Sequence, residues 1–294
     1  MANLFGRHSK VEEPTSPARL APPVPSLPSK YSKQHASSAT YLATTSLLGK
    51  VAIVTGSSRS TGAAIARCLG EHGAHVVVNY LTDLPAAEEV VRHIRSQGKG
   101  GAIAIQADAA SIEGGQRLID ETMRTFGRID ILVMNSGLMG SRTLNDLDEP
   151  FFDNMFLTNV KAPLFFVKKA APLITAPGGR IIFFSSSLTS ASSLTPSALC
   201  YVATKGAIEQ IARVLSKDLG TRGITVNTVS PGPMDTPHFR EGKSPAVLDA
   251  ISKQTPSKRM GEPDDIAPIV AFLASDAAAW VNGQNLRANG GFVV

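Results

Sequence analysis

From Leu48 onward, short apolar runs alternate with segments of helical period. The runs fall at 51–55 (VAIVT), 75–80 (HVVVNY), 102–107 (AIAIQA), 130–134 (DILVM), 180–184 (RIIFF), 224–229 (ITVNTV) and 285–288 (NLRA). They are near-continuous in β-branched and aliphatic residues, the pattern of parallel strands covered on both faces. Between them, 61–72 places Ile65, Cys68, Leu69 and His72 at i, i+3, i+4 and i+7, which predicts an amphipathic helix. The stretches 150–173 and 201–220 read as longer helices, apolar on more than one face. Strand alternating with helix predicts one doubly wound α/β domain of the Rossmann type. About seven parallel strands, right-handed crossovers and helices on both faces are expected.

The first 45 residues break this pattern. They carry Pro14, Pro17, Pro22, Pro23, Pro25 and Pro28 among Ser and Ala, with no sustained apolar period. Such a segment buries too little to offset the entropy of ordering, so a disordered tail over 1–45 is expected, ahead of one catalytic domain over 46–294. Glu12 and Glu13 speak against a mitochondrial presequence, and no continuous apolar core marks a secretory signal.

Charge changes the picture little. The sequence pI is 9.3 and the net charge +5. Five basic residues against Glu12 and Glu13 give the first 48 residues a net +3, leaving +2 spread over the rest without a basic stripe. Nucleic acid is therefore excluded as a partner. No apolar run approaches the ~20 residues of a membrane span. Two cysteines, Cys68 and Cys200, suit a reducing, cytoplasmic setting. The six histidines have no metal-ligand spacing, so no metal site is expected.

Two strings carry chemistry. The first strand runs into Thr55-Gly56-Ser57-Ser58-Arg59-Ser60-Thr61-Gly62 and then a helix. A strand, a glycine-rich turn and a helix N-terminus aim backbone N–H groups and the positive end of the helix dipole at an anion such as a dinucleotide pyrophosphate. The second string is Tyr201-Val202-Ala203-Thr204-Lys205. At i and i+4 on a helix, Tyr201 and Lys205 share a face. A nearby ammonium favours the phenolate and lowers the tyrosine pKa from its usual value near ~10, fitting Tyr201 for acid/base work on a carbonyl or alcohol.

From about residue 48 to the end, the chain resembles the short-chain dehydrogenase/reductase family in its shorter, Tyr-x-x-x-Lys form. The family fingerprint Thr-Gly-x-x-x-Gly-x-Gly is matched by Gly56 and Gly62, with Ser60 in place of the middle glycine. The resemblance implies that Asp108, after the third strand, meets the adenine ring. It implies that Asn135-Ser136-Gly137 lines the cofactor and that Pro231-Gly232 with Thr236 holds the nicotinamide carboxamide. It also implies that Lys205 holds the ribose hydroxyls and that Asn159 keeps a water behind the lysine for proton relay. A serine hydroxyl beside Tyr201 is expected from the end of the fifth strand. Among Ser185, Ser186 and Ser187, the spacing of 14 residues favours Ser187, whereas counting from the strand start favours Ser186.

An NAD site places a carboxylate at the end of the second strand to accept from the ribose 2′-OH. Here that strand ends Val78-Asn79-Tyr80, with no carboxylate before Asp83, and Arg59 is placed to meet a 2′-phosphate. NADP(H) is the expected cofactor. The resemblance then implies hydride transfer between NADP(H) and a carbonyl or secondary alcohol, with a likeness to fungal ketoreductases. The alternatives are an NAD-dependent alcohol dehydrogenase and a non-catalytic NADP-binding redox sensor. Residues 234–260, interrupted by Pro237, Gly242, Pro245 and Pro256, read as a mobile substrate loop. Phe239 and Met234 offer apolar contact there, opposite Leu188 and Leu194, which fits an apolar, cyclic or aromatic small-molecule ketone. Cys200 reads as packing and Trp280 as core or subunit contact. The apolar helix faces imply a homodimer or homotetramer.

Overall fold

Residues 46–294 are described by a computed structural model; the expectation of a disordered tail over 1–45 lies outside the described residues. The seven predicted strands form. They are β1 (Val51–Val54), β2 (His75–Tyr80), β3 (Ala102–Gln106), β4 (Ile131–Met134), β5 (Arg180–Phe184), β6 (Thr225–Pro231) and β7 (Asn285–Ala288). All pair in parallel, in the order β3-β2-β1-β4-β5-β6-β7. Only the ends differ from expectation. β1 stops at Val54, where the chain turns, and β6 continues to Pro231, which still sits in register with Ala288.

The helices are α1 (Ser60–Glu71), α2 (Leu84–Ser96), α3 (Ile112–Phe126), α4 (Glu149–Phe156), α5 (Ala162–Ala170), α6 (Leu199–Gly220), α7 (Pro237–Arg240), α8 (Pro245–Ser252) and α9 (Pro263–Ala274). They cover both faces of the sheet. Ala52 and Val54 point into the layer with Ile65, Leu69, Val90 and Val270, while Ile53 points into the layer with Leu118, Phe166 and Ile208. Strands buried on both faces need no polar alternation, and each fully buried Ile or Leu contributes about 1.5–3 kcal/mol of transfer free energy. The buried stripe of α1 is Ala63, Ala64, Ile65, Ala66 and Leu69; His72 caps the helix in solvent rather than extending the stripe.

The 150–173 stretch is helical throughout but not uniformly so. A π turn over Leu157–Lys161 separates α4 from α5, and a 3₁₀ turn over Ala171–Leu173 ends it. Pro163 supplies the cause: it has no N–H for the carbonyl of Asn159, four residues earlier, so the α ladder fails there. The 234–260 segment is also more ordered than its prolines predict. Pro237 and Pro245 start helices α7 and α8 at the first turn, after N-caps Thr236 and Ser244. Proline fits the first turn because that N–H has no helical partner in any case. No helix among the described residues is long and apolar enough to cross a membrane. The chain leaves β1 toward β2 on one side and reaches β4 on the other, so a crevice opens at the carboxyl ends of β1 and β4.

Candidate active site

The glycine-rich turn fills one side of that crevice, and two asparagines hold it. Gly56 has φ +61°, a conformation glycine adopts without strain, and its N–H donates to Asn79 Oδ1 at 2.9 Å. Asn135 Nδ2 donates to the carbonyls of Thr55 (3.0 Å) and Gly56 (3.2 Å). Ser136 is tied to the same turn through its N–H, which donates to Thr55 Oγ1. Gly62 is dictated by contact with this turn: a Cβ there would lie 2.2 Å from the Gly56 carbonyl and 2.7 Å from Asn135 Nδ2. Ser60, in the middle-glycine position, has φ +49°, so a residue with a Cβ occupies a left-handed conformation. Arg59 is the N-cap of α1 and makes no side-chain cap, which leaves the first-turn N–H groups of the helix available to an anion.

The two residues expected at the cofactor's 2′ position also make contacts within the protein. Asn79 is only 2% exposed, and its carboxamide is committed to the protein: besides Gly56, it donates to the carbonyl of Ala107 at 2.9 Å. Its side chain shapes the turn. Arg59 is exposed, but its Nη1 lies 3.8 Å from Oδ2 of Asp83, which also caps α2 by accepting from Ala86. Asp108 is exposed beyond the end of β3 and accepts from the N–H of Ala110.

The other side of the crevice belongs to α6. Tyr201 and Lys205 rise from its first two turns on one face, with the Lys205 ammonium 5.7 Å from the centre of the Tyr201 ring. Lys205 is buried, and Nζ donates to the carbonyl of Phe184 at 2.9 Å. Burial pulls its pKa from 10.5 down to about 8. Burial also raises the Tyr201 pKa, opposed by a hydrogen bond from Ser186. Desolvation outweighs that bond, so in the cofactor-free protein the phenol stays protonated at neutral pH.

Of the two candidate serines, Ser186 is the one that hydrogen-bonds the phenol, whereas the spacing of 14 favoured Ser187. Ser187 is 1% exposed and donates to the carbonyl of Ser230 at 3.0 Å, bracing β5 against β6. β5 ends at Phe184 as expected, and it is in the turn that follows that Ser186 meets the phenol while Ser187 turns to β6.

Asn159 lies in the π turn, buried behind Lys205. Its Oδ1 accepts from Leu138 N–H (2.7 Å), and Nδ2 donates to Leu138 O (2.8 Å) and Thr204 Oγ1 (3.1 Å). A Cβ on Gly137 would lie 3.3 Å from both Asn159 Oδ1 and Lys205 Nζ, so the bare glycine keeps that space open. Gly232 donates to Ala288 O, and Thr236 Oγ1 accepts from Phe239 N–H, which leaves its own proton free to donate. Of the expected apolar walls, Leu188 and Phe239 are half-buried and Leu194 is exposed. Met234 instead packs on the core, with Sδ against Gly261. A cavity of about 310 Å³ opens between Gly232–Met234, Thr255 and Gly291, but Ser186, Tyr201 and Lys205 do not line it. Cys200 is buried as packing, whereas Trp280 is 99% exposed and so is not core.

Sequence reasoning missed Asp83, because its partner Arg59 is 24 residues away, and Glu209, whose place beside the serine run only the fold reveals.

The chain is similar to known proteins over most of the described residues. Residues 56–293 match the family model described as enoyl-(acyl carrier protein) reductase. A probable tetrahydroxynaphthalene reductase of Zymoseptoria tritici is 39% identical over 261 residues, covering 85% of this chain and 97% of that protein. An NADPH-dependent aldehyde reductase-like chloroplastic protein of Arabidopsis thaliana is 40% identical over 259 residues, covering 84% of this chain and 95% of the other. The crystal structure of the angucycline C-6 ketoreductase LanV with bound NADP superposes with a TM-score of 0.78 at 39% identity, covering 84% of this chain and 96% of that one.

Proposed function

The chain belongs to the short-chain dehydrogenase/reductase family, a family of oxidoreductases, and we propose that it is an NADP(H)-dependent carbonyl reductase that uses Tyr201 as its proton donor. The observation that carries the reading is the cluster of Ser186, Tyr201 and Lys205 at the carboxyl end of β5. NADP(H) is supported by the bound NADP of LanV, by the NADPH-dependent relative and by the absence of a carboxylate at the end of β2. The spaces at Gly62 and Gly137 and the uncapped start of α1 fit a dinucleotide. The turn Gly56–Gly62 would hold its pyrophosphate, and Arg59 a 2′-phosphate. Asp108 would hold the adenine, Asn135–Gly137 and Lys205 the ribose side, and Pro231, Gly232 and Thr236 the carboxamide. Bound there, the nicotinamide supplies the hydride.

The protein's part is proton management. A phenol kept protonated by burial is a general acid, which suits reduction of a carbonyl over oxidation of an alcohol. Ser186 donates to the same carbonyl oxygen and, after proton transfer, to the phenolate. Lys205 is charged below about pH 8 and faces the ring that then bears the negative charge. Asn159 fixes the space behind the lysine, where a relay water would sit. The spacing of Tyr201 and Lys205 supports C=O rather than enoyl chemistry, and the half-buried Leu188 and Phe239 support an apolar cyclic or aromatic ketone. The exposed Trp280, Val214 and Phe152 support assembly as a homodimer or homotetramer, which light scattering would read directly.

The test is consumption of NADPH, followed by absorbance, over a panel of aromatic ketones and quinones. General acid catalysis is typically worth ~10²–10⁴-fold, so Tyr201→Phe should lose that much turnover while still binding NADPH. A wild type inert across the panel, or a phenylalanine variant of equal speed, would refute the proposal.

A further inference from the structure

Glu209 lies on α6, one turn beyond Lys205 and two beyond Tyr201, half-buried against the serine run that leaves β5. One of its oxygens, Oε1, collects two hydroxyls. Ser185 Oγ donates to it at 2.7 Å and Thr189 Oγ1 at 2.6 Å. These two residues bracket Ser186: Ser185 precedes it, and Thr189 also lies 2.8 Å from the Ser186 carbonyl. The segment between them is a tight turn in which Ser186 caps the 3₁₀ stretch Ser187–Ser190, accepting from Leu188 N–H. Ser186 itself has no bond to α6 other than the one to the phenol.

We infer that Glu209 is a positioning residue: by holding Ser185 and Thr189 to the helix that carries Tyr201 and Lys205, it sets the distance between the Ser186 hydroxyl and the phenol. Without it the part of the turn after Ser186 is fastened to β6, through Ser187 Oγ, and has no hydrogen bond to the helix that carries the tyrosine. Beside the bonds of Lys205 Nζ to the Phe184 carbonyl and of Ser185 Oγ to the Lys205 carbonyl (3.3 Å), both made before Ser186, the carboxylate is the tie that reaches α6 from both sides of Ser186. Both hydroxyls use the same oxygen, so what the tie needs is an acceptor in that place. A carbonyl oxygen in the same place serves equally.

The inference rests on the proposed roles of Ser186 and Tyr201 and is tested with the best ketone of the panel above. Losing two hydrogen bonds that place Ser186 should lower kcat about tenfold in Glu209→Ala, with KM for NADPH unchanged. Glu209→Gln should recover most of that loss. In a Ser186→Ala background Glu209→Ala should cost nothing further, because a residue that acts through Ser186 has nothing left to position. If Glu209→Ala folds poorly, Ser185→Ala combined with Thr189→Val removes the same two bonds and should reproduce the fall in kcat. Equal kcat in wild type and Glu209→Ala, no rescue by glutamine, or an undiminished loss in the Ser186→Ala background would each overturn the inference. A harmless Ser186→Ala would instead remove the reading beneath it.

Discussion

Lys205 donates its ammonium to the main-chain carbonyl of Phe184, two residues before Ser186, across a gap of 2.9 Å. The bond joins α6 to the end of β5 and buries a charge to do so. Burial brings the lysine from 10.5 to about 8. Below about 8 both folded and unfolded chains hold the proton, and the burial penalty is present in full. Between about 8 and 10.5 only the unfolded chain holds it, so stability rises with pH through that window. Lys205→Met has no such proton. Urea denaturation across pH should show wild type gaining on the methionine variant from about pH 8 upward and running parallel to it below. Parallel curves throughout would contradict the buried charge.

The two adjacent serines should separate cleanly by what they damage. Ser186→Ala removes the hydroxyl at the phenol and should lower kcat by more than tenfold, at the low end of acid–base assistance, with little change in stability. Ser187→Ala leaves the Ser230 carbonyl without its donor and should cost about 1 kcal/mol of folding free energy while sparing kcat. Steady-state kinetics and denaturation of both variants decide it; the reverse pattern would return the catalytic role to Ser187.

The pair of Arg59 and Asp83 should tune coenzyme preference. Arg59→Ala should lower the NADPH-to-NADH ratio of kcat/KM about tenfold, the worth of one bond to a charged phosphate. Asp83→Asn keeps the cap on α2 but frees the arginine, and relief of a weak exposed pair should raise the ratio roughly two- to fivefold. A wild-type ratio near one, indifferent to both changes, would favour the NAD-dependent alternative.

Ser60 should be improvable. Its left-handed backbone costs a residue with a Cβ on the order of 1 kcal/mol, which glycine avoids. Ser60→Gly should therefore raise the urea midpoint without lowering kcat. A lower midpoint would mean that the serine hydroxyl or the unfolded chain's entropy outweighs the strain.

The strands were legible because parallel strands buried on both faces need unbroken apolar runs, and Val76–Val78 or Ile181–Phe184 can be little else. Tyr201 and Lys205 were legible because a helix turns a spacing of four into proximity. What escaped depends on where the chain bends. The turn after β5 decides between Ser186 and Ser187, and nothing in three consecutive serines marks the last paired residue. Pro237 and Pro245 were misjudged because proline breaks a helix from within but starts one from its first turn. Glu209 escaped because its partners lie 20 and 24 residues back, on a different element.

Gly56 hangs between Asn79, at the end of β2, and Asn135, just beyond β4, which face it from opposite sides of β1. In the proposed placement of the cofactor, the side chain beside the 2′-phosphate would also be a strut of the pyrophosphate seat. Preference and seat would then be coupled at position 79. An acidic exchange there, the obvious way to convert the enzyme to NAD, would also strip the amide that donates to Ala107 and set a second acceptor against its carbonyl. Redesign of the coenzyme choice is therefore open at the surface, through Arg59 and Asp83, and closed in the strand beneath.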